Sequence, residues 1–194
     1  MSFLRGDPKQ ALVNRQKFLS KFDIDITSVI DTTQIHGKRI LKITRSSLGK
    51  RLTEADGFMT NLPNIYLMVK AADCHQIAFY DPKNGAIALI HAGFKGLEKG
   101  IIKNAVEKMK KNYKSKSKDL IVRFGPAIGP CCYRMDLWKE AENQLKNLGV
   151  LPKNIDNPKI CTYHNIEYFS HRRYVDQNLP EDFRFATVLG LKHV

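Results

Sequence analysis

The stretch Ile77-Ala78-Phe79-Tyr80-Asp81-Pro82-Lys83-Asn84-Gly85-Ala86-Ile87-Ala88-Leu89-Ile90-His91 decides the fold class. Its two apolar runs, 77–80 and 86–90, have strand length. The five residues between them carry turn chemistry, with proline setting φ and Asn-Gly tolerating a reversed backbone. Two strands joined by a tight turn follow. After His91 the period changes: Leu97, Ile101, Ala105 and Met109 recur every four residues with lysines between them, which predicts a helix from near Gly96.

Outward from this segment, apolar runs at 40–43 and 65–69 are also of strand length, and residues 119–124 and 183–191 read as further strands. Residues 136–148 read as a helix ended by Gly149. Near the start, Asp7-Pro8 combines an N-cap with proline at the first helical position, ahead of Leu12, Phe18, Leu19 and Phe22. The irregular alternation predicts a mixed α/β (α+β) sandwich rather than a regular doubly wound sheet.

With 194 residues, 43% of them hydrophobic, the chain can bury one substantial core, so a single domain over 1–194 is expected. No repeat, low-complexity tract or linker interrupts it. No apolar run approaches the ~18 residues of a membrane span, and residues 1–6 lack a leader pattern, which predicts a cytoplasmic protein with no membrane partner. Cys131 and Cys132 are adjacent, a poor geometry for bonding to each other, so a disulfide framework is not expected. The net charge of +13, from 32 basic and 19 acidic residues, points to an anionic partner. Nucleic acid is disfavoured, because the lysines between Lys103 and Lys118 form one solvated helix face and loop, with no aromatic-interleaved recognition motif.

Three segments set a metal-competent side chain beside glycine or a turn: Gln34-Ile35-His36-Gly37, Ala72-Asp73-Cys74 and His91-Ala92-Gly93. Two imidazoles and a thiolate suffice for a catalytic zinc with one position left open. No C-x-x-C or H-E-x-x-H spacing ties any two of them together. On the residues alone, His36 and His91 read equally as hydrogen-bonded turn histidines and Cys74 as a small buried hydrophobe.

The order of Gln34-Ile35-His36-Gly37, Glu54-Ala55-Asp56-Gly57, Ala71-Ala72-Asp73-Cys74, Tyr80-Asp81-Pro82, Ile90-His91-Ala92-Gly93-Phe94-Lys95-Gly96 and Gly125-Pro126-Ala127-Ile128-Gly129-Pro130-Cys131-Cys132-Tyr133 resembles the YfiH, or laccase-domain, family. The likeness continues through Cys161-Thr162 and Phe169-Ser170-His171-Arg172-Arg173. Members of that family are known as polyphenol oxidases or as purine nucleoside phosphorylases. The resemblance implies two layered mixed sheets with outer helices and a zinc site made by His36, Cys74 and His91. It also implies phosphorolysis of adenosine, inosine, guanosine or methylthioadenosine, with possible deamination of adenosine. The partners would then be purine nucleosides and phosphate, acting on a monomer or homodimer.

Within that frame Asp73 and Asp56 are candidate proton carriers, with turn capping as the alternative. Gly93 and Lys95, ahead of the expected helix, form a candidate phosphate cradle, although family members often carry Trp-Arg where this chain has Phe94-Lys95. Arg39, beside His36, adds positive field. Arg172 or Arg173 supplies a second cation or pairs with a carboxylate. Residues 125–132, with their glycines and prolines, are read as shaping a tight loop near the pocket rather than as binding metal, despite Cys131 and Cys132. Family members also carry an N-terminal strand region ahead of the segment that Gly6-Asp7 matches, which this sequence lacks. Two other chemistries fit the same residues: copper-dependent phenol oxidation, and a hydrolase or deamidase using Cys74 as nucleophile and His91 as base.

Overall fold

A computed structural model describes residues 8–50 and 52–192 of the chain. In chain order its elements are α1 (Pro8–Ser20), β1 (Val29–Ile30), β2 (Ile40–Lys42), β3 (Gly57–Thr60), β4 (Tyr66–Ala71), β5 (His75–Asp81) and β6 (Ala86–Ala92). They continue as α2 (Phe94–Glu98), α3 (Ile101–Tyr113), β7 (Ile121–Phe124), α4 (Leu137–Asn147), β8 (Ile155–Asp156), α5 (His171–Asp176) and β9 (Phe185–Gly190). The expected hairpin is β5 and β6, paired antiparallel from His75 opposite Ala92 to Asp81 opposite Ala86. It forms the middle of a six-stranded mixed sheet, ordered β2-β3-β6-β5-β7-β8, against which a three-stranded sheet β1-β4-β9 is layered.

The alternation within β6 builds both interfaces. Every residue of that strand is buried. Ile87 and Leu89 face the small sheet, where they join Ile30, Phe58, Leu67 and Val69. Ala88 and Ile90 face the other way, with Met59, Ile77 and Phe79, and are covered by Ile101, Ala105 and Met109 of α3 and Ala141 and Leu145 of α4. Phe58 and Phe79 are among the largest fully buried side chains, and burial of a side chain this size contributes roughly 1.5–3 kcal/mol. Alanines on the helix side let α3 approach the sheet closely. Among the described residues no helix is long and apolar enough to cross a membrane.

Local detail departs from the sequence expectation in a few places. The helix read from Gly96 is two helices: α2 ends at Glu98, Gly100 takes φ +78°, and α3 starts at Ile101. Only a residue without Cβ occupies that backbone region cheaply, so Gly100 lets the chain turn and lay α3 along the sheet. A 3₁₀ turn takes residues 117–119 and delays β7 to Ile121. The expected helix at 136–148 is α4, and the structure shows Asp136 as its cap, accepting the Lys139 N–H at 2.9 Å. The Asp7 cap lies outside the described residues. The short elements β1, β3, β8 and α5 hold too few residues to show a period.

Among the described residues, His75 is a buried polar side chain with consequences for stability. His75 is fully buried against Phe124, and neither ring nitrogen has a hydrogen bond. Burial drives its pKa down to about 4, the Leu137 backbone and the Asp136 charge pulling weakly upward. A depressed histidine stabilises the fold above its unfolded pKa of ~6.5 and loses that contribution as pH falls toward the folded value. Chemical denaturation at pH 7.5 and 5 is expected to show wild type losing about 2 kcal/mol more than His75→Leu over the same interval. Equal losses in the two proteins would contradict this account.

Candidate active site

Three loops meet where β3 and β5 begin and β6 ends, and Asp56 organises the meeting point. Its carboxylate, with no solvent exposure, accepts the backbone N–H groups of His36 (2.9 Å), Gly37 (2.7 Å) and Ile35 (3.3 Å). It also takes Nδ1 of His91 at 3.0 Å. The three amides hold the 34–37 loop as a turn in which His36 adopts φ +55°, a strained region for a residue with a side chain. Asp56 thus reaches the site through His36 and His91 rather than through solvent. The sequence reading offered it as a proton carrier; in the structure its carboxylate is taken up by the 35–37 amides and the His91 ring.

His91 is buried and His36 exposed, their rings meeting edge-on with centroids 4.9 Å apart. Cys74 completes the set, and ligand atoms of all three residues lie within 4.8 Å of one another. Register explains the convergence. Cys74 precedes His75, which pairs with Ala92, so the thiol falls opposite Gly93. A Cβ on Gly93 would stand 2.5 Å from the Cys74 sulfur and 3.5 Å from the His36 ring. The Cys74 carbonyl is held from the other side by the Gln76 side-chain amide.

Charge in the cluster is mutually reinforcing. Burial opposes ionisation of Cys74, but hydrogen bonds and charge from His36 and His91 outweigh it and bring the thiol down to about 6. Burial likewise opposes protonation of His91, and Asp56 and then Cys74 overcome it, raising the imidazole to about 9. For Asp56 burial pushes upward, yet His91 and the Gly37 and Ile35 amides hold the carboxyl below its ordinary range. A thiolate at neutral pH beside two imidazoles is the donor set that a zinc-type ion takes. Asp56 on Nδ1 leaves Nε2 of His91 as the ligand nitrogen and fixes its ring, the usual outer support of a metal-binding histidine. Among the described residues no fourth protein ligand joins the cluster, so an ion held there would keep one position for solvent or substrate. The residues therefore fit such an ion.

Gly93→Ala tests that steric account. The added methyl displaces the Cys74 sulfur rather than any core group, so zinc affinity is expected to fall roughly tenfold or more while stability changes by about 1 kcal/mol or less. Competition titration and urea denaturation on the same protein measure the two effects.

The cluster opens into a cleft of about 1070 Å³. Asp73 lines it at φ +85°. One carboxylate oxygen of Asp73 accepts the Thr162 hydroxyl at 2.7 Å and the other the Arg172 backbone N–H at 2.7 Å. Phe94, Lys95, Tyr133 and Arg172 also face the cleft. Arg173 lies behind the wall, donating to the carbonyls of Thr162 and Tyr163 at 2.8 Å each. Two sequence candidates are placed elsewhere. Arg39 is exposed and does not line the cleft, because the adjoining Ile40 turns inward and alternation sends Arg39 to solvent. Gly93 is buried under Cys74 and its role is to make room. Lys95 lies inside α2 rather than ahead of it, and that five-residue helix is too short for its dipole to build an anion cradle.

Several contributors were not read from the sequence. Gln34 clasps the Lys70 backbone with two 2.8 Å bonds, and Asp31 joins Lys70 (2.8 Å) to buried Arg15 (2.9 Å) along the cleft wall. Nothing local marks these residues, since their partners lie 16 to 39 positions away.

Comparison with known proteins follows the same lines. The family profile described as multi-copper polyphenol oxidoreductase laccase matches residues 1–136 and 133–191. A Haemophilus influenzae protein named purine nucleoside phosphorylase is 30% identical over 201 residues, covering 87% of this chain and 78% of that protein. Purine nucleoside phosphorylase YlmD of Bacillus subtilis is 32% identical over 130 residues, 63% of this chain but only 47% of its own length. In structure, YfiH of Bacillus licheniformis superposes with a TM-score of 0.87 at 27% identity, covering 92% of this chain and 80% of that one. YlmD from Geobacillus stearothermophilus gives 0.87 at 26% identity, covering 93% and 79%. With sequence, fold and strand-end architecture in agreement, this chain belongs to the YfiH, or laccase-domain, family.

Proposed function

We propose that the protein is a zinc-dependent purine nucleoside phosphorylase acting on adenosine, inosine, guanosine or methylthioadenosine, with adenosine deamination as a side activity. The observation that carries the reading is the convergence of His36, Cys74 and His91 at the floor of a cleft whose wall bears both aromatic and cationic side chains. The relatives named purine nucleoside phosphorylase support the same chemistry.

In phosphorolysis the bond from C1′ of the ribose to N9 of the purine breaks, its electron pair leaving with the base, while a phosphate oxygen bonds to C1′. Phe94 and Tyr133 offer faces on which a purine stacks. Lys95 and Arg172 supply cations for the phosphate, in place of the short helix. Asp73, fixed by Thr162 and the Arg172 amide, presents a carboxylate where positive charge develops on the sugar or where a proton must be held. A zinc ion on His36, Cys74 and His91 would supply Lewis-acid polarisation of a substrate heteroatom. Asp56 keeps both imidazoles aimed.

The test is incubation of the purified protein with inosine and with adenosine, each with and without phosphate, following free base and inosine by chromatography. Phosphate-dependent release of hypoxanthine and adenine, lost on chelation and restored by zinc, is the expected result. No base and no inosine from any mixture would overturn the proposal. The short Cys74–His91 relationship also suits a cysteine hydrolase, for which activity survives chelation and dies on thiol alkylation. Copper chemistry predicts oxygen uptake on a phenol with stoichiometric copper. Among the described residues no imidazole-rich cluster adjoins the site as a trinuclear copper centre requires.

A further inference from the structure

A second group of soft ligands stands apart from His36, Cys74 and His91. Cys131, Cys132, Cys161 and His164 offer four ligand atoms that all lie within 4.8 Å of one another. The sulfur of Cys131 is 3.7 Å from that of Cys161 and 3.6 Å from that of Cys132. Nδ1 of His164 is 3.6 Å from the Cys131 sulfur and 3.9 Å from the Cys132 sulfur. A tetrahedral zinc, with bonds of ~2.3 Å to sulfur and ~2.0 Å to nitrogen, requires edges of about 3.8 Å between sulfurs and about 3.5 Å from sulfur to nitrogen. The four observed separations are within about 0.4 Å of those values, and the remaining pairs lie within 4.8 Å. A disulfide requires ~2 Å between sulfurs, so none is formed, and all four cysteines of the chain are free.

The backbone around the group is built independently of any ion. Ala127 bridges to Cys161, the Ala127 N–H reaching Ile160 (3.1 Å) and the Thr162 N–H returning to Ala127 (3.2 Å). The Gly129 amide donates to the Cys161 sulfur at 3.3 Å, as amides do to a ligating thiolate. The turn closed by the Asn165 N–H on the Cys161 carbonyl, at 2.9 Å, brings His164 back over Cys161. Read in sequence, Cys161-x-x-His164 is a local chelating spacing that only gains meaning once 131–132 is folded against it. The sequence reading set loop shaping against metal binding for residues 125–132, whereas the folded grouping with Cys161 and His164 lets the segment do both.

We propose that Cys131, Cys132, Cys161 and His164 form a second, four-ligand zinc site that clamps the 125–133 loop to the 161–164 turn. Four protein ligands leave no open position, which makes the site structural rather than catalytic. Its reach is functional all the same. Ile128 and Tyr133 on one clamped segment line the cleft, and Thr162 on the other holds Asp73.

The test uses the full chain, stripped of metal under reducing conditions and titrated with zinc and with cobalt(II). Two equivalents are expected for wild type and one each for Cys74→Ala and for the double variant Cys131→Ser with Cys161→Ser. His164→Ala removes an exposed ring, so its fold is not at risk, and should weaken one equivalent by more than about a thousandfold, beyond the ~10–100-fold cost of outer-shell changes. The cobalt form of Cys74→Ala should retain an intense sulfur-to-cobalt band from three thiolates. A single equivalent in wild type, abolished by Cys74→Ala, overturns the proposal. So does a Cys131–Cys161 disulfide found by mass spectrometry in the zinc-treated, reduced protein, or an unchanged titration of His164→Ala.

Discussion

Asp56→Asn is expected to cost about 3 kcal/mol of folding stability and to lower zinc affinity roughly tenfold to a hundredfold. The native carboxylate receives four donors, three backbone amides and the His91 ring. An asparagine keeps one acceptor oxygen and turns an NH₂ group toward donors, leaving buried N–H groups unpaired. His36 then loses the grip that maintains its φ of +55°, and His91 loses the partner that most raises its pKa. Urea denaturation and zinc competition measure the two losses separately. The sign with pH is defined: a depressed carboxyl stabilises the fold above its unfolded pKa of ~3.9, and the contribution vanishes as pH falls through the lower folded value. Wild type and variant should therefore converge in stability only in strong acid. A variant that binds zinc as wild type does would show that the carboxylate is not what aims the imidazoles.

Cys74→Ser carries the larger effect on activity. The hydroxyl fits the space under Gly93 and can still hydrogen-bond, so the fold is expected to melt within a few degrees of wild type. A serine does not ionise near neutral pH, whereas the Cys74 thiol does at about 6. Losing an anionic ligand should weaken zinc at this site by more than about a hundredfold and reduce phosphorolysis about a thousandfold, some 4 kcal/mol of barrier. Retention of zinc with loss of turnover would instead assign Cys74 to nucleophilic chemistry. Preserved turnover would place the reaction elsewhere in the molecule.

From spacing and composition the candidate site was legible as residues but not as a place; only the family resemblance grouped the three. His36, Cys74 and His91 each carry a suggestive neighbour in sequence, yet the intervals between them contain nothing that ties one to another. Arg39 shows the converse error. It is close to His36 along the chain, but one step of strand alternation turns it to solvent while Ile40 enters the core. Asp56 lies in a recognisable Glu54-Ala55-Asp56-Gly57 segment. That its carboxylate serves three amides and an imidazole depends on β3 lying beside β6 with Gly57 opposite Ile90.

What the sequence determined by itself are the features governed by forces acting within a few residues. Turn chemistry at 81–85 produced the β5–β6 hairpin, the four-residue period after His91 produced α3, and Asp136 capped α4, because each needs only near neighbours. The tertiary structure alone decided the break at Gly100, the convergence of three loops on one centre, and the meeting of Cys131 and Cys132 with Cys161 and His164. Those outcomes rest on strand register and on which face each side chain takes. Both are set by burying β6 between a small sheet and a helix layer, a contest among residues far apart in the chain.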